Sequence, residues 1–414
     1  MNRFERTIYF SGGVALIALG LSLINAKASG FDNTGIGSLD LLYDPAKFAI
    51  EFGATYIDRN VEYQISNAQT SRDYLSDTFP PNINPVSGGD TTAAVTPNVW
   101  NYAVNAKADL TDNLSCLARI HNPGSILEQA PEDWNGRFSM VKTELTTLGF
   151  DATCAVKFML GGGQQVRFIG GGRYIEADIS VDKFSRLLGA PGPAGVVLNG
   201  SGFGWRAGIA YELPQYAIRA SLIYDHSIDI DATGSVNSVL PLDGQADFTM
   251  PKGVEFRVQS GIAPRWLAFA GVKWVNWSSL DKLTVNGSLN GNPFLEVNRL
   301  FGFKDGWTLT AGIGHQLTDK IQIGSSITWD QGIGGSYSDT YQWGLGGAYK
   351  INDNVTWSLG GAVVYKTAAD NETVKSITVI GPGSPSGVIG EDQFDLSYDA
   401  SVNFAISSKL KLSF

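Results

Sequence analysis

The stretch Gly202–Asp225, GFGWRAGIAYELPQYAIRASLIYD, carries the reading of the fold. Phe203, Trp205, Ala207, Ile209 and Tyr211 share one face of an extended segment, and Arg206 lies on the other. After Pro214-Gln215 the pattern resumes: Ile218, Ala220, Leu222 and Tyr224 oppose Arg219, Ser221 and Asp225. Strict alternation on both sides of a tight turn predicts a β-hairpin.

Worked outward, the same period-2 pattern covers most of the chain. It predicts fourteen strands, at about 48–64, 98–110, 114–122, 138–159, 165–181, 202–213, 216–231, 247–261, 266–279, 305–316, 320–333, 340–350, 354–367 and 392–414. The connections alternate in length. Short ones are Thr111-Asp112-Asn113, Gly161-Gly162-Gly163-Gln164, Pro214-Gln215, Ala263-Pro264-Arg265, Thr318-Asp319 and Asn352-Asp353. Long ones are 65–97, 123–137, 182–201, 232–246, 280–304 and 368–391, with a shorter exception near 334–339. A soluble sandwich has no reason to keep that rhythm. A bacterial outer-membrane barrel does, with tight periplasmic turns, long outer loops and an even strand number. Closure leaves no strand edge facing lipid. The expected fold is therefore all-β: a 14-stranded antiparallel transmembrane β-barrel.

The remaining features agree. The chain has 414 residues, 43% hydrophobic and 17% charged, with 49 Gly, 2 Cys and net charge −10. That much apolar content excludes disorder. Past residue 30 no apolar run reaches the ~18 residues of a spanning helix. Two Cys are too few for a disulfide scaffold or a Cys-based zinc site, and an acidic chain argues against nucleic acid. MNRFER, then the apolar Gly12–Ile24 run and Ala26-Lys27-Ala28, read as a signal peptide over 1–28. A membrane anchor is the alternative, but the apolar core is short for a span. At the other end Leu410, Leu412 and Phe414 alternate, with Phe414 last; this resembles the signal read by the barrel-insertion machinery.

Charge on the lipid face costs ~2–4 kcal/mol near the midplane. Arg119, Arg206, Arg219 and Arg257 should therefore point into the lumen. Trp205, Trp266, Trp274, Trp277, Trp307, Trp329, Trp343 and Trp357 sit near strand ends, where aromatic girdles belong.

Four places resemble the FadL-type family of outer-membrane channels for long-chain fatty acids and similar hydrophobic compounds. They are FTMPKGVEFRVQSGIAPRWLAFAGVKWVNWSSL (Phe248–Leu280), GFKDGWTLTAGIGHQLTDKIQIGSSITWD (Gly302–Asp330), GFGWRAGIAYEL (Gly202–Leu213) and Asp44-Pro45-Ala46. The likeness runs thinly from about 40 to 414. It implies a monomeric barrel over 48–414 with an N-terminal hatch, here 29–47, in its lumen. A hydrophobic ligand is captured among the outer loops, passes to an inner pocket, and leaves after a hatch rearrangement or through a lateral gap at a kinked third strand. Movement is passive and uses no cofactor. The hatch segment is about half the length the family would give, and Asp44 stands where the family has Asn.

Site residues follow at low resolution. His121-Asn122-Pro123-Gly124 either interrupts the third strand as a gate or begins an outer loop; Pro removes a ladder donor and Gly permits a bend. In DKFSRLLGAPGPAGVVLNG (Asp182–Gly200), Phe184, Leu187 and Leu188 could share a helical face, with Val196, Val197 and Leu198 beyond the Pro-Gly turn. These residues form either a capture groove or packing at the barrel mouth. The inward Arg set either holds a ligand carboxylate or is neutralised by Asp225 and Glu255.

An enzyme is not expected: His121, His226 and His315 fall on separate strands, and no G-x-S-x-G or H-E-x-x-H occurs. No metal site is expected. Aromatic-hydrocarbon uptake and a structural or adhesive barrel remain as alternatives. Cys116 and Cys154 fall on adjacent strands, on the lipid face, but a few residues out of step; two free thiols are expected.

Overall fold

The computed structural model describes residues 39–72, 82–185, 192–237, 240–381 and 388–414. The signal peptide expected over 1–28 and residues 29–38 of the expected hatch lie outside them. Fourteen antiparallel strands close a barrel. They are β1 (Phe48–Asp58), β2 (Val99–Asp109), β3 (Leu114–His121), β4 (Lys142–Gly161), β5 (Gln164–Ser185), β6 (Gly192–Leu213), β7 (Ile218–Asp225), β8 (Gly253–Ala263), β9 (Trp266–Val275), β10 (Gly306–Gln316), β11 (Ile321–Asp330), β12 (Thr340–Lys350), β13 (Val355–Lys366) and β14 (Ser401–Ser413). Each pairs with the next, and β14 returns to β1 through rungs such as Ala49↔Ser413. The expected short turns stand at the end that carries Phe48 and Phe414. Gly161, Gly162 and Gly163 all take positive φ in one of them, a conformation costly for any other residue.

Alternation sorts the wall as expected. Phe203 is 71% and Ile327 65% exposed on the outside, whereas Arg119 and Arg206 are buried inside. Trp277 departs from the expected girdle: it turns inward and is fully buried.

Among the described residues much of the long connections is strand rather than loop. β4, β5 and β6 continue past the barrel as strands, joined by hairpins Ile228–Asn237/Pro241–Met250, Lys282–Leu289/Asn292–Leu300 and Ala369–Ile380/Val388–Tyr398. Glu62–Arg72, Thr92–Ala94 and Ser125–Gln129 complete this collar. The ring returns to its start where Gln129 N donates to Val95 O, 2.8 Å. The helix expected around Phe184 is accordingly corrected: Phe184 lies on β5 and Val196, Val197 and Leu198 on β6, while Leu187 and Leu188 lie outside the described residues.

The expectation of free thiols is also corrected. Cys116 on β3 pairs directly with Cys154 on β4, and the two form a disulfide. The register that set them apart was wrong because a long connection, not a tight turn, joins these strands.

Candidate functional site

Inside the collar lies a cavity enclosing about 1170 Å³, part of it open to solvent. Inward positions of many strands build it: Ile126, Leu145, Ile179, Val181 and Val196, then Val236 and Phe248, then Leu283, Val285, Leu295 and Val297. Most belong to one continuous apolar cluster that also holds Leu198 and Trp277. An apolar void with few polar groups suits a hydrophobic ligand. Three charged residues reach its lining; Glu144 pairs with Lys142 at 2.6 Å. Lys183 pairs with Asp392 at 3.2 Å. Arg299 Nη1 donates to Ser139 O at 3.0 Å, and among the described residues its guanidinium enters no ion pair. Of the capture candidates, Val196 faces this cavity and Leu198 the apolar cluster, whereas Val197 points outward. Phe184 alternates away from the lining and meets Phe138 edge-on.

A smaller cavity lies nearer the membrane, between Pro123, Ile175, Ile228, Met250, Val275 and Trp277. Its floor is charged. Asp151 is fully buried, with Arg119 at 3.6 Å, Arg206 at 3.5 Å, Arg173 at 3.8 Å and His121 at 3.1 Å. Asp225 takes a second bond from Arg206, 2.9 Å, and lies 3.6 Å from Arg173. Paired charges of this kind hold one another tightly, so Arg119 and Arg206 face carboxylates supplied by the chain itself.

Below this floor Leu39–Tyr43, within the segment expected to form a hatch, make a short 3-10 turn. Arg219 and Arg257 reach Asp40 at 3.0 and 3.6 Å, and Arg257 also meets Glu255 at 2.8 Å. Arg219 stacks over the Tyr43 ring, 4.1 Å from its centre. Asp44 bonds Lys411 at 2.7 Å and caps the Ala46 backbone N–H at 2.9 Å. Lys107 donates to the carbonyls of Asp44 and Ala46. Pro45 sits between these two grips. The extra charge at position 44 thus has a lysine from the wall as its counterpart.

The third strand is interrupted at Asn122-Pro123-Gly124. The β2–β3 ladder ends at Ala103↔His121, and the chain resumes as Ser125–Gln129 along β4. From His121↔Gly149 to Ser125↔Thr146 the third strand uses four steps against three, a bulge that bends it away. Gly149 accommodates the bend: a Cβ there would stand 3.1 Å from His121 Nε2 and 3.2 Å from Pro123. Side chains tie the break. Asn122 Oδ1 accepts from Tyr102 N, 3.1 Å, and its amide donates to Thr147 O, 3.0 Å. Gly124 N donates to the Thr147 hydroxyl, 3.0 Å. The backbone here is that of an interrupted strand, and Pro123 forms one side of the smaller cavity.

A family model described as "Outer membrane protein transport protein (OMPP1/FadL/TodX)" matches residues 41–333. The long-chain fatty acid transport protein of Salmonella typhi is 23% identical over 330 residues, 71% of this chain and 70% of that one. The protein of the same description from Escherichia coli K12 is 26% identical over 153 residues, about a third of each chain. Among solved structures, a Pseudomonas aeruginosa FadL homologue superposes with TM-score 0.69 at 12% identity, covering 94% of this chain and 99% of that one. The Pseudomonas putida toluene transporter TodX gives 0.60 at 13% identity, covering 95% and 97%.

Proposed function

The chain belongs to the OMPP1/FadL/TodX family of outer-membrane transport proteins, and from that premise we propose that it takes up long-chain fatty acids by passive passage through the collar cavity and the wall. The observation that carries this reading is the order of three features. An aliphatic cavity lies in the collar, a smaller one lies behind Pro123, and Pro123 itself stands in the break of the third strand. An apolar chain reaching Pro123 meets paired charges below and, beside it, edges that the β2–β3 ladder no longer joins. Leaving aliphatic surroundings for a dry charged layer is unfavourable on both sides, since neither the chain nor the ions gain a partner. Lipid lies the other way. The route therefore turns sideways, and the hatch stays anchored during transfer.

The guanidinium of Arg299 at the cavity wall suits an anionic headgroup, which favours a fatty acid over a neutral aromatic ring. No residue set in the cavity is arranged for bond making or breaking, and the protein acts as a conduit. Mass spectrometry of lipids extracted with the detergent-purified protein tests the reading. Stoichiometric fatty acid supports it; an empty protein that also fails to bind oleate by titration overturns it.

A further inference from the structure

Arg59 follows β1 and does not belong to any strand. Its backbone N–H is fixed by Asn98 Oδ1 at 2.8 Å, and the Asn98 amide is fixed in turn by the Tyr56 hydroxyl at 2.8 Å. From that anchor the guanidinium crosses the break in the wall. Nε donates to Pro97 O, 2.8 Å, on the lead-in to β2. Nη2 donates to Leu127 O, 2.8 Å, on the outer segment of the interrupted strand. These are the two edges that the β2–β3 ladder no longer joins.

Taken as a window, the break thus has two bounds. Its inner sill is the last rung, Ala103↔His121, with the Asn122 bond to Tyr102 just above it. Its outer bound would be the Val95–Gln129 backbone bond, but the guanidinium closes the wall two residues sooner on each edge. A planar fork with several donors can span two carbonyls at once; an ammonium group acts from a single point. Beside Leu127, Ile126 lines the large cavity and Glu128 is held by the Tyr63 and Ser336 hydroxyls at 2.8 and 2.7 Å. The segment that Arg59 holds is therefore both cavity wall and window edge.

We propose that Arg59 is a positioning residue: it clasps the outer segment of the third strand to β2 and sets the width of ligand that can leave through the wall. The role in transport rests on the sideways route proposed above; the clasp itself does not. Without the guanidinium the direct tie between these two edges retreats, among the described residues, to Val95–Gln129, and wider ligands pass.

The test has two arms in lipid nanodiscs and whole cells. Spin labels at Trp100→Cys and Leu127→Cys, both on the outer face, report the span of the window with no ligand present. In Arg59→Ala the distance should lengthen by ~3 Å or more, the length of one hydrogen bond, with Arg59→Lys between the two. In cells, uptake of a pyrene-labelled fatty acid relative to oleate should rise about threefold or more in Arg59→Ala, while oleate affinity in detergent stays unchanged. A purely structural role would lower both uptakes together and leave their ratio alone. An unchanged label distance overturns the proposal, as does a longer distance with an unchanged ratio. If Arg59→Ala does not assemble, Arg59→Lys carries both arms. A parent protein that neither binds nor imports either ligand defeats the fatty-acid reading, and the label distance still decides the clasp.

Discussion

Cys116 and Cys154 stand directly opposite each other on neighbouring strands, Cα atoms 4.0 Å apart, and are bonded. The bond ties β3 to β4 on the lipid face below the break at Asn122. The interrupted strand is thereby fixed to its β4 side, and the freedom left at the break lies toward β2.

The denatured, unreduced protein should take up no maleimide, and the reduced protein two equivalents. Two equivalents without reductant would contradict the structure. The closed segment has a sequence separation of 38, for which removing the bond costs ~2–4 kcal/mol. Cys116→Ser/Cys154→Ser should therefore convert from folded to unfolded gel mobility at a lower temperature.

Leu295 and Val285 line the collar cavity and belong to its apolar cluster. Replacing both with Asn should weaken oleate binding by well over tenfold, since each aliphatic side chain contributes ~1.5–3 kcal/mol when buried against a ligand and ~1.4 kcal/mol is one decade in affinity. The barrel ladder lies elsewhere, so heat-modifiable mobility should be retained. Parent affinity in the folded double variant would place the binding surface outside this cavity.

Arg206 and Asp151 test the charged floor. Removing one member of a buried pair leaves its partner uncompensated, at ~3–5 kcal/mol. Arg206→Ala should lower the temperature of barrel unfolding markedly while oleate affinity changes little, because Arg206 already faces Asp151 and Asp225. Lost affinity in a barrel of parent stability would make this arginine a ligand contact.

Asp40 ties the Leu39–Tyr43 turn to the wall through Arg219 and Arg257. Asp40→Asn weakens both contacts and leaves Arg219 without its carboxylate, while Arg257 keeps Glu255. Single-channel recordings in planar bilayers should show more frequent ion-conducting openings than in the parent. Identical recordings would show that the hatch is held by other contacts, such as Asp44 with Lys411.

The barrel was legible because its wall obeys one rule. Phe203, Trp205, Ile209 and Arg206 must sort between lipid and lumen, so alternation survives along every spanning strand. The break at Pro123 was legible only as one of two readings, since Pro-Gly also begins loops. The collar was missed because long connections resemble loops by length alone. Part of it was instead taken into the wall: Ile228 and Ile230 against Asp229 and Asp231 fell inside the strand expected over 216–231, which the structure divides after Asp225. Around Phe184 a three-residue spacing of apolar groups suggested a helix, while the strand period of Val196, Val197 and Leu198 indicated the actual structure. The arginines were correctly placed inside, but their partners were not: Asp151 and Asp40 come from distant parts of the chain, and a contact across the lumen has no local signal. The cysteine register failed for the same reason, because no tight turn counts β3 against β4.

The central claim is that an acyl chain occupies the collar cavity and leaves past Pro123. A fatty acid bearing a photoreactive group near its methyl end, irradiated in cells under limiting ligand, tests it most directly. Mapping of the labelled peptides should find adducts on cavity-lining residues such as Ile179, Val285 and Leu295, and on Ile126 and Pro123 beside the window. Adducts confined to outward residues such as Phe203 and Ile327, or found on hatch residues Leu39–Tyr43 with none at Ile126 or Pro123, would contradict it.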